Sequence, residues 1–252
     1  MKKYELTSET KVINDVKLHR IKALESFGRV EKGELGGRIE SEKNLSQDGD
    51  AWVFDNATVR GNATVRGNAT VEDKATVSGN AIVSGNATVS GNATVGGKAF
   101  ISGKATVGGN AMVCGDARVY GYATVKDKAK VDGNASVSGN AYVGGNSYVG
   151  GNSCVCENAI VCDNAIVSDN ATVRGNAKVR RKEDFIVFKN WWSSGRYFTW
   201  TRSNNKWNVG CFYGSGEELI AKAYKDSEKS GREYERVVKY VESILKEENN
   251  NK

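Results

Sequence analysis

"RGNATVRGNATVEDKATVSGNAIVSGNATV", residues 60–89, says one six-residue phrase five times. The phrase continues in both directions. From Val53 to Val179 every sixth residue is valine, with Ile101 the single exception, which makes 22 hexads in unbroken register. Two positions before each valine stands Ala, or Ser at Ser147 and Ser153. Two positions after it stands Gly, Asp or Glu in all but the last hexad, and Asn usually follows. A period this short and strict marks a stacked repeat and outranks any isolated motif.

The physical content of the phrase is direct. Side chains change face at every residue of a strand, so the Ala and Val of A-x-V share one side. The Gly-Asn or Asp-Asn pair that follows tolerates positive φ and bonds its own backbone, which is corner chemistry. One hexad is therefore a short strand plus a corner. It cannot bury its valine alone, so hexads must wind and stack into columns of like residues. The chain has no proline, and proline would delete a donor from such ladders.

This pattern resembles the hexapeptide-repeat proteins, whose resemblance implies a left-handed parallel β-helix with three hexads per triangular coil. The likeness covers residues 51–182, about half the chain. It implies about seven coils and, at the ~4.8 Å strand spacing, a prism about 34 Å long. Handedness comes from the resemblance, since ordinary crossover rules favour the opposite hand.

Three regions follow from the change of pattern. Residues 1–50 mix short β-like runs with Gly turns and read as an N-terminal β cap over the open sheet edge. The register breaks there: Ile39 and Leu45 are six apart, but Leu45 and Val53 are eight apart. The stretch from Leu18 to Ala57 also resembles the N-terminal segment of bacterial hexapeptide proteins labelled acetyltransferases. Residues 183–252 form a different unit. "DFIVFKNWW", "GRYFTWTRS" and "KWNVGCFYG" read as strands of an antiparallel meander. Capping-box pairs Ser215/Glu218 and Ser230/Glu233 open two amphipathic helices. The fold class expected is mainly β: a parallel β-helix with an N-terminal β cap and a small α+β C-terminal domain of βββαα or ββββαα type.

The net charge of +6 is spread thinly, with 14 Lys+Arg against 9 Asp+Glu in residues 51–182 and near balance on either side. No apolar run suggests a signal peptide or a membrane span, so a cytoplasmic location without membrane contact is expected. Five cysteines without a signal sequence read as reduced thiols.

The family resemblance implies an acyl-CoA-dependent acyltransferase, with a histidine general base and a loop closing the site. The residues do not follow it. His19, in the cap, is the only histidine, and no loop interrupts the hexads. Asp116, Asp132, Glu157 and Asp163 read as corner or surface carboxylates rather than substitutes for the base. No catalytic residue, metal or cofactor is expected. Cys154 and Cys156 would sit on one side of a strand, ~7 Å apart by strand rise, too far for a disulfide, and they lack zinc-ligand spacing. Outward threonines such as Thr70, Thr88, Thr106 and Thr124 suit an exposed pleated surface. The second outward position does not repeat threonine, so ice binding is not indicated.

Two surfaces are singled out. Tyr142, Tyr148, Cys154, Ile160 and Ile166 occupy the outward position in five successive hexads. They form an apolar band expected to meet sister subunits in a homotrimer or to receive the C-terminal module. Trp191, Trp192, Arg196, Tyr197, Trp200, Arg202, Lys206 and Trp207 combine aromatic and basic character, as protein hot spots do. The same combination can stack a single nucleic-acid strand. With a net charge near +1 in this region, nucleic acid is disfavoured. The function expected is a non-catalytic, trimeric scaffold that displays a C-terminal module to a protein partner, in a bacterial or phage setting that includes inhibition of a host factor. A diverged acyltransferase and a nucleic-acid or small-ligand binder are the rivals.

Overall fold

The computed structural model describes residues 2–250. Strands β1 (Tyr4–Ile13) and β2 (Val16–Ala23) form a hairpin, β3 (Leu35–Ile39) pairs with β2, and the hexads follow as 22 two-residue strands from β4 (Trp52–Val53) to β25 (Lys178–Val179). They stack in three parallel sheets, each strand pairing with the one three places on. Register is strict: Thr88 sits on Thr106 and Val89 on Val107, 18 residues later. The two inward positions of every hexad, Ala or Ser and Val or Ile, are fully buried or nearly so.

The shaft has eight coils rather than the seven expected. Ile39 pairs with Val59 and Leu45 with Val65, so the last part of the cap heads two of the three inward columns. Val53 heads the third. The two surplus residues of the Leu45–Val53 interval swell one corner without ending the stack. Gly36 and Gly37 are required where β3 enters this first coil. A Cβ on Gly36 would stand 2.6 Å from the Val53 carbonyl oxygen, and one on Gly37 2.6 Å from that of Ala57.

Corners adopt positive φ throughout, as with Gly91 at +68° and Asp73 at +61°. Four corner carboxylates accept the N–H of the next corner along the axis, among them Asp73 from Gly91 at 2.8 Å and Asp127 from Gly145 at 3.0 Å. Corner asparagines chain along the same direction, as from Asn62 to Asn80 and Asn134 to Asn152.

The two ends of the shaft are chemically unlike. In each hexad three N–H groups point to the following coil, as Asn68, Thr70 and Glu72 donate to the carbonyls of Gly85, Ala87 and Val89. The first coil is thus left with carbonyls, and the last with N–H groups. Buried orphans of either kind are expensive, and each end is closed by the complementary chemistry. At the start, Asn44 Nδ2 donates to Gly61 O and Ala63 O, Tyr4 Oη to Leu45 O, and Lys3 Nζ to Gly49 O and Ala51 O, both at 2.9 Å. At the far end, Thr199 Oγ1 accepts from Thr172 N, Ser203 Oγ from Lys178 N, and Asp184 Oδ2 from Arg180 N and Arg181 N.

Lys3 is 2% exposed, and burial lowers its pKa from 10.5 to about 8, with Asp50 and Asp48 opposing. Lys3→Met should lower stability by about 2 kcal/mol, because two buried carbonyls lose their donor. The pH dependence has a definite sign. With the folded pKa below the unfolded one, Lys3 makes stability rise with pH between about 8 and 10.5. The gap between wild type and variant should therefore be wider at pH 10 than at pH 7 in denaturant midpoints.

The far-end acceptors come from the C-terminal unit, strands β26 (Phe185–Lys189), β27 (Tyr197–Thr201), β28 (Lys206–Val209) and β29 (Phe212–Gly214), followed by α1 (Gly216–Asp226) and α2 (Glu228–Asn250). The meander has four strands because "KWNVGCFYG" folds back at Gly210, φ +58°. Ser215 and Glu218 form the expected reciprocal cap. The second helix starts at Glu228, upstream of the expected Ser230, because Ser227 Oγ takes the Ser230 N–H. Alternation along β26 divides its residues. Phe185 and Val187 pack on the shaft core, Ile186 and Phe188 on the core shared with the helices. The sheet is a middle layer between shaft and helices.

Candidate recognition surface

The sheet's position decides the fate of the predicted aromatic and basic cluster. Phe198 and Trp200 face the helices while Thr199 faces the last coil, so a strand that would display one face in isolation displays neither. Trp200 and Trp207, expected as contact residues, are 1% and 2% exposed, and Trp192 is nearly as deep against Tyr234, ring centroids 5.0 Å apart. These three are core residues, a correction to the sequence reading. Arg202 is a structural tie as well: its guanidinium holds the Glu248 carboxylate bidentately at 2.6 and 3.1 Å and the Glu183 carbonyl at 3.0 Å. Lys206 is half-buried on β28, beside Thr201.

What remains outside gathers at one end of the meander. Trp191 is 74% exposed on the loop between β26 and β27. Tyr197 is 40% exposed at the start of β27 and lies under Lys189 Nζ, 5.8 Å from the ring centroid. Arg196, also exposed, completes the group and pairs with no carboxylate among the described residues. Lys189 was not singled out in the sequence, since nothing in a strand pattern says which lysine lies over an aromatic ring.

The apolar band divides among the three sheets. Tyr142 and Ile160 stack on one face, Tyr148 and Ile166 on the next, and Cys154 on the third, above Thr172. The two tyrosine columns flank a single corner. Each ring folds back over the glycine two residues on: a Cβ at Gly144 or Gly150 would stand 2.3 or 2.2 Å from the phenol oxygen. Tyr142 also donates to Asp127 at 3.1 Å, and Lys126 lies over its ring. Ile166 is 57% exposed. Elsewhere on the shaft Met112, Tyr120 and Tyr122 are exposed too, the tyrosines at one corner with Lys104 over the Tyr122 ring and Met112 on another sheet.

The C-terminal unit meets the end of the shaft rather than the tyrosine columns. Arg174 pairs with Glu157, whose other oxygen accepts the Gly175 N–H at 2.9 Å, and Tyr213 lies against Arg174. This gives Glu157 a joint-forming role. Asp132 accepts from Gly133 N and pairs with Lys130 at 3.2 Å. His19 lies in β2, half-buried, its Nδ1 3.4 Å from the Thr7 carbonyl. The cysteine thiols are free. The neighbouring Cys156, with the Arg174 cation, draws the Cys154 thiol down, and Cys154 together with burial pushes the Cys156 thiol up.

Beside the exposed cluster the C-terminal unit has a cavity of about 270 Å³ between the β26–β27 loop, the β28–β29 turn and the two helices. Among the described residues no group of three His, Cys, Asp or Glu is placed to hold a metal ion, and no helix is long and apolar enough to cross a membrane.

Comparison with known families agrees with the shaft. The profile described as the YdcK beta solenoid repeat matches residues 75–91 and 81–97. The chain is thus similar to a β-solenoid repeat family within its hexads. The hexapeptide-family name and the acetyltransferase label rest on the sequence resemblance alone. No curated protein matches the chain.

Proposed function

We propose that this protein is a non-catalytic β-solenoid scaffold that holds a protein-binding face at its C-terminal end. The observation that carries the reading is Trp191, three-quarters exposed in a unit that buries its other tryptophans. Large aromatics left in water beside Arg196 and Tyr197 match the composition of protein interface hot spots. The face is tied to the shaft, because Thr199 Oγ1 on β27 accepts the Thr172 N–H of the last coil. We further propose that the scaffold is a homotrimer. The Tyr142/Ile160 and Tyr148/Ile166 columns flank one corner, and a corner turned to a threefold axis offers one apolar column to each neighbour. Three copies of the face would then raise avidity toward a multivalent partner.

Trp191→Ala should leave the melting temperature within a degree or two, since surface substitutions shift stability by only about 0.5 kcal/mol. It should also remove the partner captured by the full-length wild type, with affinity falling about tenfold or more. A variant that retains capture would refute the reading. Coenzyme A binding by calorimetry, together with acetyl transfer that a shaft substitution abolishes, would favour the acyltransferase instead.

A further inference from the structure

The cavity in the C-terminal unit has the composition of a site for one class of ligand. Its volume of about 270 Å³ equals about nine water-sized volumes, so it suits a molecule of about nine non-hydrogen atoms. Phe212 and Leu219 supply an apolar wall. The base is polar and preorganised. Asn190, 2% exposed, donates through Nδ2 to the Tyr234 hydroxyl at 3.0 Å, and its Oδ1 accepts from Ser193 N and Oγ. Two cations line the opening. Arg196 lies across Gly210, its Nη1 3.2 Å from where a Cβ would stand, and Lys222 Nζ lies 5.5 Å from the Phe212 ring centroid. One carboxylate, Asp226, shares the rim. Burial raises the Tyr234 phenol above its ordinary range, the Asn190 hydrogen bond opposes it, and Asp226 and Arg196 act on it with opposite sign.

We propose that this cavity binds a small organic carboxylate with an apolar or aromatic body. The carboxylate would meet Arg196 and Lys222, and the body would lie on Phe212 and Leu219. Neither the cavity nor its ligand depends on the protein-binding reading. A guanidinium without a carboxylate partner at the mouth of an apolar slot is the arrangement that selects such anions, since its donors match two carboxylate oxygens. Asp226 sets the limit on affinity by repelling the same anion.

The test uses the full-length protein, benzoate, and benzamide as its neutral counterpart of equal size. Titrations are followed by backbone amide chemical shifts. Benzoate should give saturable shifts at Asn190, Leu219 and Ala223 at millimolar concentration, and benzamide should bind about tenfold more weakly. Arg196→Met should reduce benzoate affinity about tenfold without changing benzamide. Asp226→Asn should raise benzoate affinity about threefold. The opposite signs separate a charge effect from misfolding, which could only weaken both. Equal binding of acid and amide, absence of saturable shifts at the cavity, or a drop in benzoate affinity in Asp226→Asn would overturn the assignment.

Discussion

Val107→Asp should abolish the folded shaft, whereas Thr106→Asp, one residue away, should cost under about 1 kcal/mol. Val107 has no exposed surface and lies between Val89 and Val125 in its column. A carboxylate there has no partner and no water. The penalty for an isolated buried charge exceeds the whole stability of most domains, about 5–15 kcal/mol. Protonation would spare the charge but still leave unpaired polar atoms among valines. Thr106 points outward, level with Thr88 and Thr124, and Asp there keeps its hydration. Limited proteolysis and far-ultraviolet circular dichroism of the two purified variants distinguish the outcomes. Equal behaviour would mean that the inward and outward assignment of the hexad is wrong. A disrupted central coil removes a stabilising interface from the coil on each side of it, which is how the damage reaches beyond Val107.

Trp200→Ala should unfold the C-terminal unit and leave most of the shaft standing. Trp200 is packed on the helix side of β27 and donates Nε1–H to Asn205 Oδ1 at 2.9 Å. Truncating a buried aromatic of this size costs about 3–5 kcal/mol, and a unit of about 70 residues has little reserve. Hydrogen exchange should show protection lost across residues 185–245 and retained across 71–143. The last coil should soften, because Thr199 and Ser203 no longer accept from Thr172 and Lys178. The exposed donor edge should then promote association through strand addition, visible by sedimentation. If the variant keeps its melting temperature and loses only partner capture, Trp200 is a contact residue and its place in the core is wrong.

The contrast between Trp200 and Trp191 shows where sequence reading stopped. Both stand in strand-like, aromatic-rich text, and alternation along β27 correctly groups Phe198 with Trp200. Alternation cannot say whether the opposite face meets water or another layer. Here Thr199 meets the last coil, so Phe198 to Thr201 are all inside and only Tyr197, at the start of the strand, stays exposed. Trp191 escapes because it lies on a loop. Arg202 was read as a partner cation since its carboxylate, Glu248, is 46 residues away. The cavity left no trace in the text, because its lining comes from a loop, a turn and two helices joined only by folding.

The hexad period by itself determined the shaft: strand, corner, inward valine and 18-residue register are all local properties, and repetition makes each one confirm the next. The periodic text could not specify how the shaft ends. The first coil's carbonyls are closed by Lys3, Tyr4 and Asn44, and the last coil's N–H groups by Asp184, Thr199 and Ser203. Only the tertiary structure decided these pairings. Unsatisfied backbone groups at a solenoid end can be met by any suitable side chain the chain brings there, at any sequence distance, and that choice leaves no period to read.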